Sequence, residues 1–98
     1  MPDRTVDIGG VEIGAGLPLA LIAGPCVIEG EDMLVEVATR VRDIAASLEL
    51  PFVFKSSYLK DNRQSPGSYS GPGLVEGLRV LARVKRELGI PVLSDVHE

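Results

Sequence analysis

Apolar residues fall along this chain in two alternating rhythms. Three short runs are continuously apolar, and each opens on an aliphatic residue followed by proline. Leu17-Pro18 precedes Leu-Ala-Leu-Ile-Ala, Leu50-Pro51 precedes Phe-Val-Phe, and Ile90-Pro91 precedes Val-Leu. Proline is tolerated at the first residue of a strand, and unbroken apolar runs predict strands buried on both faces, as in parallel sheets. Between the runs the spacing becomes helical. Over Glu31–Leu48 the apolar positions Leu34, Val37, Ala38, Val41, Ala45 and Leu48 share one face. Over Leu74–Leu88 the stripe is Leu74, Leu78, Leu81, Val84 and Leu88. Glu29, Glu31 and Asp32 stand at the start of the first helix, where the dipole favours acids. Lys85 and Arg86 fall in the last turn of the second, and Gly89 is placed to cap it. Upstream, Val6-Asp7-Ile8 and Val11-Glu12-Ile13 alternate around Gly9-Gly10, the pattern of a β-hairpin.

The predicted order is hairpin, strand, helix, strand, long loop, helix, strand. Strands alternating with helices imply an α/β fold with a parallel sheet and right-handed crossovers. The expected architecture is the N-terminal portion of a (β/α)8 TIM barrel, with residues 1–16 as a hairpin cap and 17–98 as the first βα units. A closed barrel takes about 250 residues and eight strands, so the chain is expected to be a fragment of one domain, inactive alone. A complete small three-stranded α/β domain is the other reading.

Composition narrows the partners. A net charge of −4 over 98 residues argues against nucleic acid, whose binders usually carry a basic stripe. One cysteine excludes an internal disulfide and fits a reducing compartment. The chain begins on polar residues with no apolar signal core, and its longest apolar stretch, around Leu17 to Val27, is too short to span a membrane. A soluble, cytoplasmic protein with no membrane partner is expected.

In parallel α/β folds, chemistry collects at the C-terminal ends of the strands. After the first run come Gly24-Pro25-Cys26 and Glu29; after the second, Lys55, Ser56, Ser57, Lys60, Asn62, Arg63 and Ser65; after the third, Asp95 and His97. The strand interiors carry no ionisable side chain. The stretch from Lys55 to Gly73 is long for a structureless loop, and such loops tend to be functional. Its Lys55, Lys60 and Arg63 suit phosphate or carboxylate oxygens, lysine as a point charge and arginine as a bidentate fork; a solvated surface loop is the bland alternative. Cys26 reads either as a small buried residue or as one metal ligand whose partners lie elsewhere. Asp95 and His97, two apart on an extended segment, fall on one side, where they could bind a metal, orient a base, contact substrate or cap the strand end.

Together, Ile22-Ala23-Gly24-Pro25-Cys26, Phe54-Lys55-Ser56-Ser57, Lys60-Asp61-Asn62-Arg63, Ser68-Tyr69-Ser70-Gly71-Pro72-Gly73-Leu74 and Ser94-Asp95-Val96-His97-Glu98 resemble the 3-deoxy-D-manno-octulosonate 8-phosphate synthases. The resemblance runs in register from about residue 19 to the end. The Ala-Gly-Pro-Cys piece is shared with the sister 3-deoxy-arabino-heptulosonate 7-phosphate (DAHP) synthases, whereas Lys-x-Asn-Arg and Asp-Val-His-Glu are more specific. The resemblance implies a barrel enzyme, usually a homotetramer, that joins phosphoenolpyruvate to arabinose 5-phosphate and releases phosphate. It implies that Lys55, Ser57, Lys60, Asp95 and His97 surround phosphoenolpyruvate and that Asn62 and Arg63, with Ser65 beside them, serve the phosphorylated aldose. Cys at position 26 goes with the metal-dependent branch, which implies a divalent zinc, iron, cobalt or manganese ion held also by a His, a Glu and an Asp from later strands. Gln64, Leu59, Asp61 and Ser70 depart from the usual pattern, and Ser65-Pro66-Gly67-Ser68-Tyr69 is similar to a run of the sister enzymes, which act on erythrose 4-phosphate. That sister reaction, and a non-catalytic phosphate-binding fragment, are the competing expectations.

Overall fold

Gly9 and Gly10 take positive φ angles of 58° and 96°, which a two-residue turn of the primed type requires. They join β1 (Thr5–Ile8) to β2 (Val11–Gly14) as an antiparallel pair with Ile8 opposite Val11. Asp7 Oδ1 accepts from the Gly10 amide at 2.7 Å and closes the turn. The computed structural model describes residues 4–59 and 71–96. Lys60, Asp61, Asn62, Arg63, Gln64, Ser65, Ser68, Ser70, His97 and Glu98, to which the sequence assigns roles or departures, lie outside the described residues.

After the hairpin come β3 (Leu21–Ala23), α1 (Glu31–Ser47), β4 (Phe52–Lys55), α2 (Leu74–Leu88) and β5 (Val92–Leu93). The three later strands form one parallel sheet in the order β3-β4-β5, with Ala23 beside Phe54 and Phe54 beside Val92. This is the α/β organisation that the apolar rhythm predicts. Phe52 and Phe54 share the core with Leu34, Ala38 and Ala45 of α1 and with Val80, Leu81 and Val84 of α2. Both helices therefore lie over one face of the sheet. The two rings meet edge to face at 6.3 Å, an arrangement that adds about 0.5–1.5 kcal/mol beyond area burial. The hairpin tip rests at the other end of the strands, where a Cβ added to Gly9 would stand 2.8 Å from Pro91 Cβ. Among the described residues no helix is long and apolar enough to cross a membrane.

Three local expectations are corrected. Burial on both strand faces holds for β4, but Ile22 of β3 is 45% exposed and Leu93 of β5 is 36% exposed, because β3 and β5 are the outer strands of this sheet. On α2 the buried positions are Gly77, Val80, Leu81 and Val84, while Leu74 and Leu78 are exposed. The helix turns Gly77 inward, where it meets Tyr58 just beyond β4. On α1 Leu48 is exposed rather than part of the core stripe, since it is the helix cap.

The helix ends follow local rules. Gly89 adopts the left-handed conformation that caps α2, and its amide reaches Lys85 O. At the end of α1 the same role falls to Glu49, at φ 57°. Its amide bonds Ala46 O and the Leu50 amide bonds Ala45 O, the double closure of a Schellman motif. At the helix starts, Glu31 accepts from Arg79 at 2.6 Å and from Arg83 at 2.8 Å, while Arg79 also pairs with Glu76 and Arg83 with Glu87. These bonds, Arg79 first, hold the Glu31 carboxyl down at about 2 and raise both guanidinium groups. The network clasps the start of α1 to the exposed side of α2.

Candidate active site

Three strand ends and the turns that leave them meet at the C-terminal edge of the sheet. Lys55 is the last residue of β4 and lies beside Leu93. Alternation along the strand puts Lys55 with Val53 on the face away from the helices. Beyond Lys55 the chain stays ordered against its neighbours. The Ser56 amide donates to Leu93 O at 3.2 Å, the Ser57 amide to Cys26 O at 3.3 Å, and the Ile28 amide to Ser57 O at 3.0 Å. An isolated parallel bridge pairs Val27 with Ser57. The start of the expected long loop is thus a continuation of β4, because main-chain groups on both sides are there to receive it.

The step from Ala23 beside Phe54 to Val27 beside Ser57 is uneven. Gly24, Pro25 and Cys26 lie between on one strand, and only Lys55 and Ser56 on the other. This is a bulge of one residue, a form that is rare in parallel pairs and common beside active sites. Gly24 makes it sterically possible, since an added Cβ would fall on Lys55 O. Ser56 is wholly buried, and its hydroxyl donates to Pro25 O at 2.8 Å. Cys26, at the corner of the bulge, is exposed, unlike the packed cysteine of the alternative reading.

Ser57 is 3% exposed, and its hydroxyl donates to Asp95 Oδ1. This bond ties the end of β4 to the segment after β5 and fixes one oxygen of Asp95. Of the residues that the sequence nominates, the structure brings Cys26, Lys55, Ser57 and Asp95 to one edge. Lys60, Asn62, Arg63, Ser65 and His97 lie outside the described residues. Among the described residues no three His, Cys, Asp or Glu side chains converge on a common point, so Cys26 would need ligands from elsewhere.

Two residues escaped the sequence reading as contributors. One is Ser56, visible only as one polar residue in a loop. The other is Tyr58, which is 2% exposed. Its carbonyl accepts from the Gly73 amide at 3.0 Å, and Cβ atoms added at Gly71 or Gly77 would strike Tyr58 itself. Tyr58 therefore anchors the chain as it leaves β4 and again as it enters α2. The glycine-rich approach to α2 was the available signal, but spacing alone cannot say which residue those glycines make room for.

Comparison with known proteins adds to this geometry. The model of the DAHP synthetase I family matches residues 3–98. The 2-dehydro-3-deoxyphosphooctonate aldolase of Pelobacter propionicus is 57% identical over 94 residues, covering 96% of this chain and 35% of that protein. Proteins of the same name from Citrifermentans bemidjiense and Methylococcus capsulatus are each 52% identical, over 96% and 97% of this chain and 34% of theirs. The chain spans about a third of the length of the curated relatives it matches. Their name is that of the octulosonate phosphate synthases which the sequence motifs resemble.

Proposed function

From the premise that this chain belongs to the DAHP synthetase I family, we propose that it is the N-terminal part of a (β/α)8-barrel synthase that condenses phosphoenolpyruvate with arabinose 5-phosphate and releases phosphate. In that reading residues 1–16 cap the barrel floor, residues 17–98 supply its first βα units, and the full-length protein is a cytoplasmic homotetramer. The observation that carries it is the delivery of Lys55, Ser57 and Asp95 by adjacent parallel strands to one edge, the edge where this class of fold does its chemistry. Phosphoenolpyruvate carries a carboxylate and a phosphate, and the aldose a second phosphate. Lys55, with Lys60, His97 and Arg63 from segments outside the described residues, would supply the matching cations. A charge-assisted hydrogen bond of this kind contributes about 1.5–3 kcal/mol. Ser57 holds Asp95 so that its carboxylate meets substrate in a set orientation, and Asn62 and Ser65 complete the hydroxyl and phosphate contacts of the sugar.

Cys26 is the residue of this chain that would hold a divalent metal, with a His, a Glu and an Asp from the remainder of the full-length protein. Its exposed position on the bulge supports that role. A mixed sulfur, nitrogen and oxygen site suits zinc, iron, cobalt or manganese, and such an ion supplies orientation of the aldehyde or activation of water. The family's name favours the sister reaction with erythrose 4-phosphate, whereas the names of relatives at 52–57% identity favour arabinose 5-phosphate. Phosphate release by the full-length protein from phosphoenolpyruvate with each aldose phosphate, with and without chelator, decides. Turnover with arabinose 5-phosphate that chelator abolishes and added metal restores is expected. Turnover with erythrose 4-phosphate alone would transfer the assignment to the sister reaction, and turnover with neither would leave a phosphate-binding protein.

A further inference from the structure

We infer that Ser56 is a positioning residue for Cys26, which its buried hydroxyl fixes by pinning the bulge to the end of β4; this rests on the metal-ligand reading of Cys26 above. A bulge interrupts the regular ladder, so a main-chain carbonyl inside it needs a partner from elsewhere. Pro25 is such a residue, and Ser56 Oγ donates to its carbonyl at 2.8 Å across 31 positions of sequence. Ser56 is 0% exposed, and a buried polar side chain is costly unless bonded. Its amide is held as well, by Leu93 O at 3.2 Å. The hydroxyl therefore hangs from two strands and grips the peptide that leads into Cys26. Beyond Cys26 the Ser57 amide bonds Cys26 O at 3.3 Å and the Ile28 amide bonds Ser57 O at 3.0 Å, so the Ser56 bond holds the near side of the bulge and these hold the far side. Groups that orient a metal ligand in this way typically matter ten- to a hundredfold in metal affinity.

The test uses the full-length protein, stripped of metal and titrated with cobalt(II), followed by the thiolate-to-cobalt charge-transfer band. Parent, Ser56→Ala, Ser56→Thr and Cys26→Ala are compared. The parent is expected to give the band and Cys26→Ala to lack it. Ser56→Ala should bind cobalt about ten- to a hundredfold more weakly while keeping a cooperative melting transition, and Ser56→Thr, which retains the hydroxyl, should recover most of the loss. Ser56→Ala protein that melts earlier but keeps the parent's cobalt affinity and band would overturn the proposal, because Ser56 would then only fill space. A parent without the band would instead overturn the reading of Cys26 as a ligand, and the role of Ser56 with it.

Discussion

Gly77→Ala sets two effects of opposite sign against each other at one position. On propensity alone, alanine in a helix interior is favoured over glycine by about 1 kcal/mol. Packing acts the other way. The new Cβ would fall on Tyr58 Cβ and stand 3.1 Å from Tyr58 Cα, against a comfortable carbon separation of about 3.5–4.0 Å. A rotamer change cannot relieve this, since Cβ is placed by the backbone. Nor is the Tyr58 backbone loose, because its carbonyl receives the Gly73 amide. Helix α2 must therefore lift away from Tyr58, loosening Val80, Leu81 and Val84, all buried in the shared core. Overpacking costs typically about 1–3 kcal/mol. A contact between two main-chain-fixed atoms belongs at the upper end, so the net expectation is a loss of about 2 kcal/mol. The assay is urea unfolding of the full-length protein, comparing midpoints at unchanged slope. Ala82→Gly, at an exposed site in the middle of α2, calibrates propensity and should cost about 1 kcal/mol. A Gly77→Ala protein more stable than its parent would refute the reasoning, since propensity would have won and the close approach of α2 to Tyr58 could not exist.

Three further outcomes are expected. Glu49→Gly should stabilise the protein by about 0.5–1 kcal/mol, because relief of the left-handed strain, about 1–2 kcal/mol, exceeds the added freedom of the unfolded chain; a lower urea midpoint would argue against the Schellman closure. The Glu31 carboxyl, held at about 2 against an ordinary 4.5, adds stability that is complete above its ordinary range and is lost as pH falls through the interval between those values. Acid unfolding of Glu31→Gln and parent should therefore differ above that interval and converge below it, and curves equally separated at every pH would count against the clasp. In the full-length enzyme Arg63→Ala should raise KM for the aldose phosphate about ten- to a hundredfold, from the loss of about 1.5–3 kcal/mol, with little change for phosphoenolpyruvate; equal effects would move Arg63 to the other substrate.

Periodicity located every described element because each follows from nearby residues: proline opening a strand, glycine closing a turn or helix, a stripe at helical spacing. It also located Lys55, Ser57, Cys26 and Asp95, since the end of an apolar run is where a parallel strand must release its chain. What periodicity could not supply was register between distant strands. The bulge exists only as a mismatch between Gly24–Cys26 and Lys55–Ser56, so neither stretch announces it alone. The inward face of α2 was misplaced for a related reason. Leucine spacing selects Leu74 and Leu78, but the approach of Tyr58 selects Gly77 and brings Val80 in beside it. The left-handed Glu49 was hidden because nothing in glutamate's chemistry signals a helix cap.

The uneven count at the sheet edge bears on how this chain can vary. Sheet side chains alternate, so a shift of one position exchanges the two faces. The bulge absorbs its extra residue, so deleting any one of Gly24, Pro25 or Cys26 would leave Val27 beside Ser57 in a regular ladder but erase the corner that carries Cys26 outward. Within this stretch a change of identity alters one side chain, whereas a change of length removes the corner itself. Substitutions at Pro25 or Glu29 should therefore be accepted far more often than insertions or deletions between Ala23 and Val27. In a library of natural or engineered variants, gaps should be rarest at this corner, and substitutions should spare Gly24, where a side chain would strike Lys55 O, and Cys26.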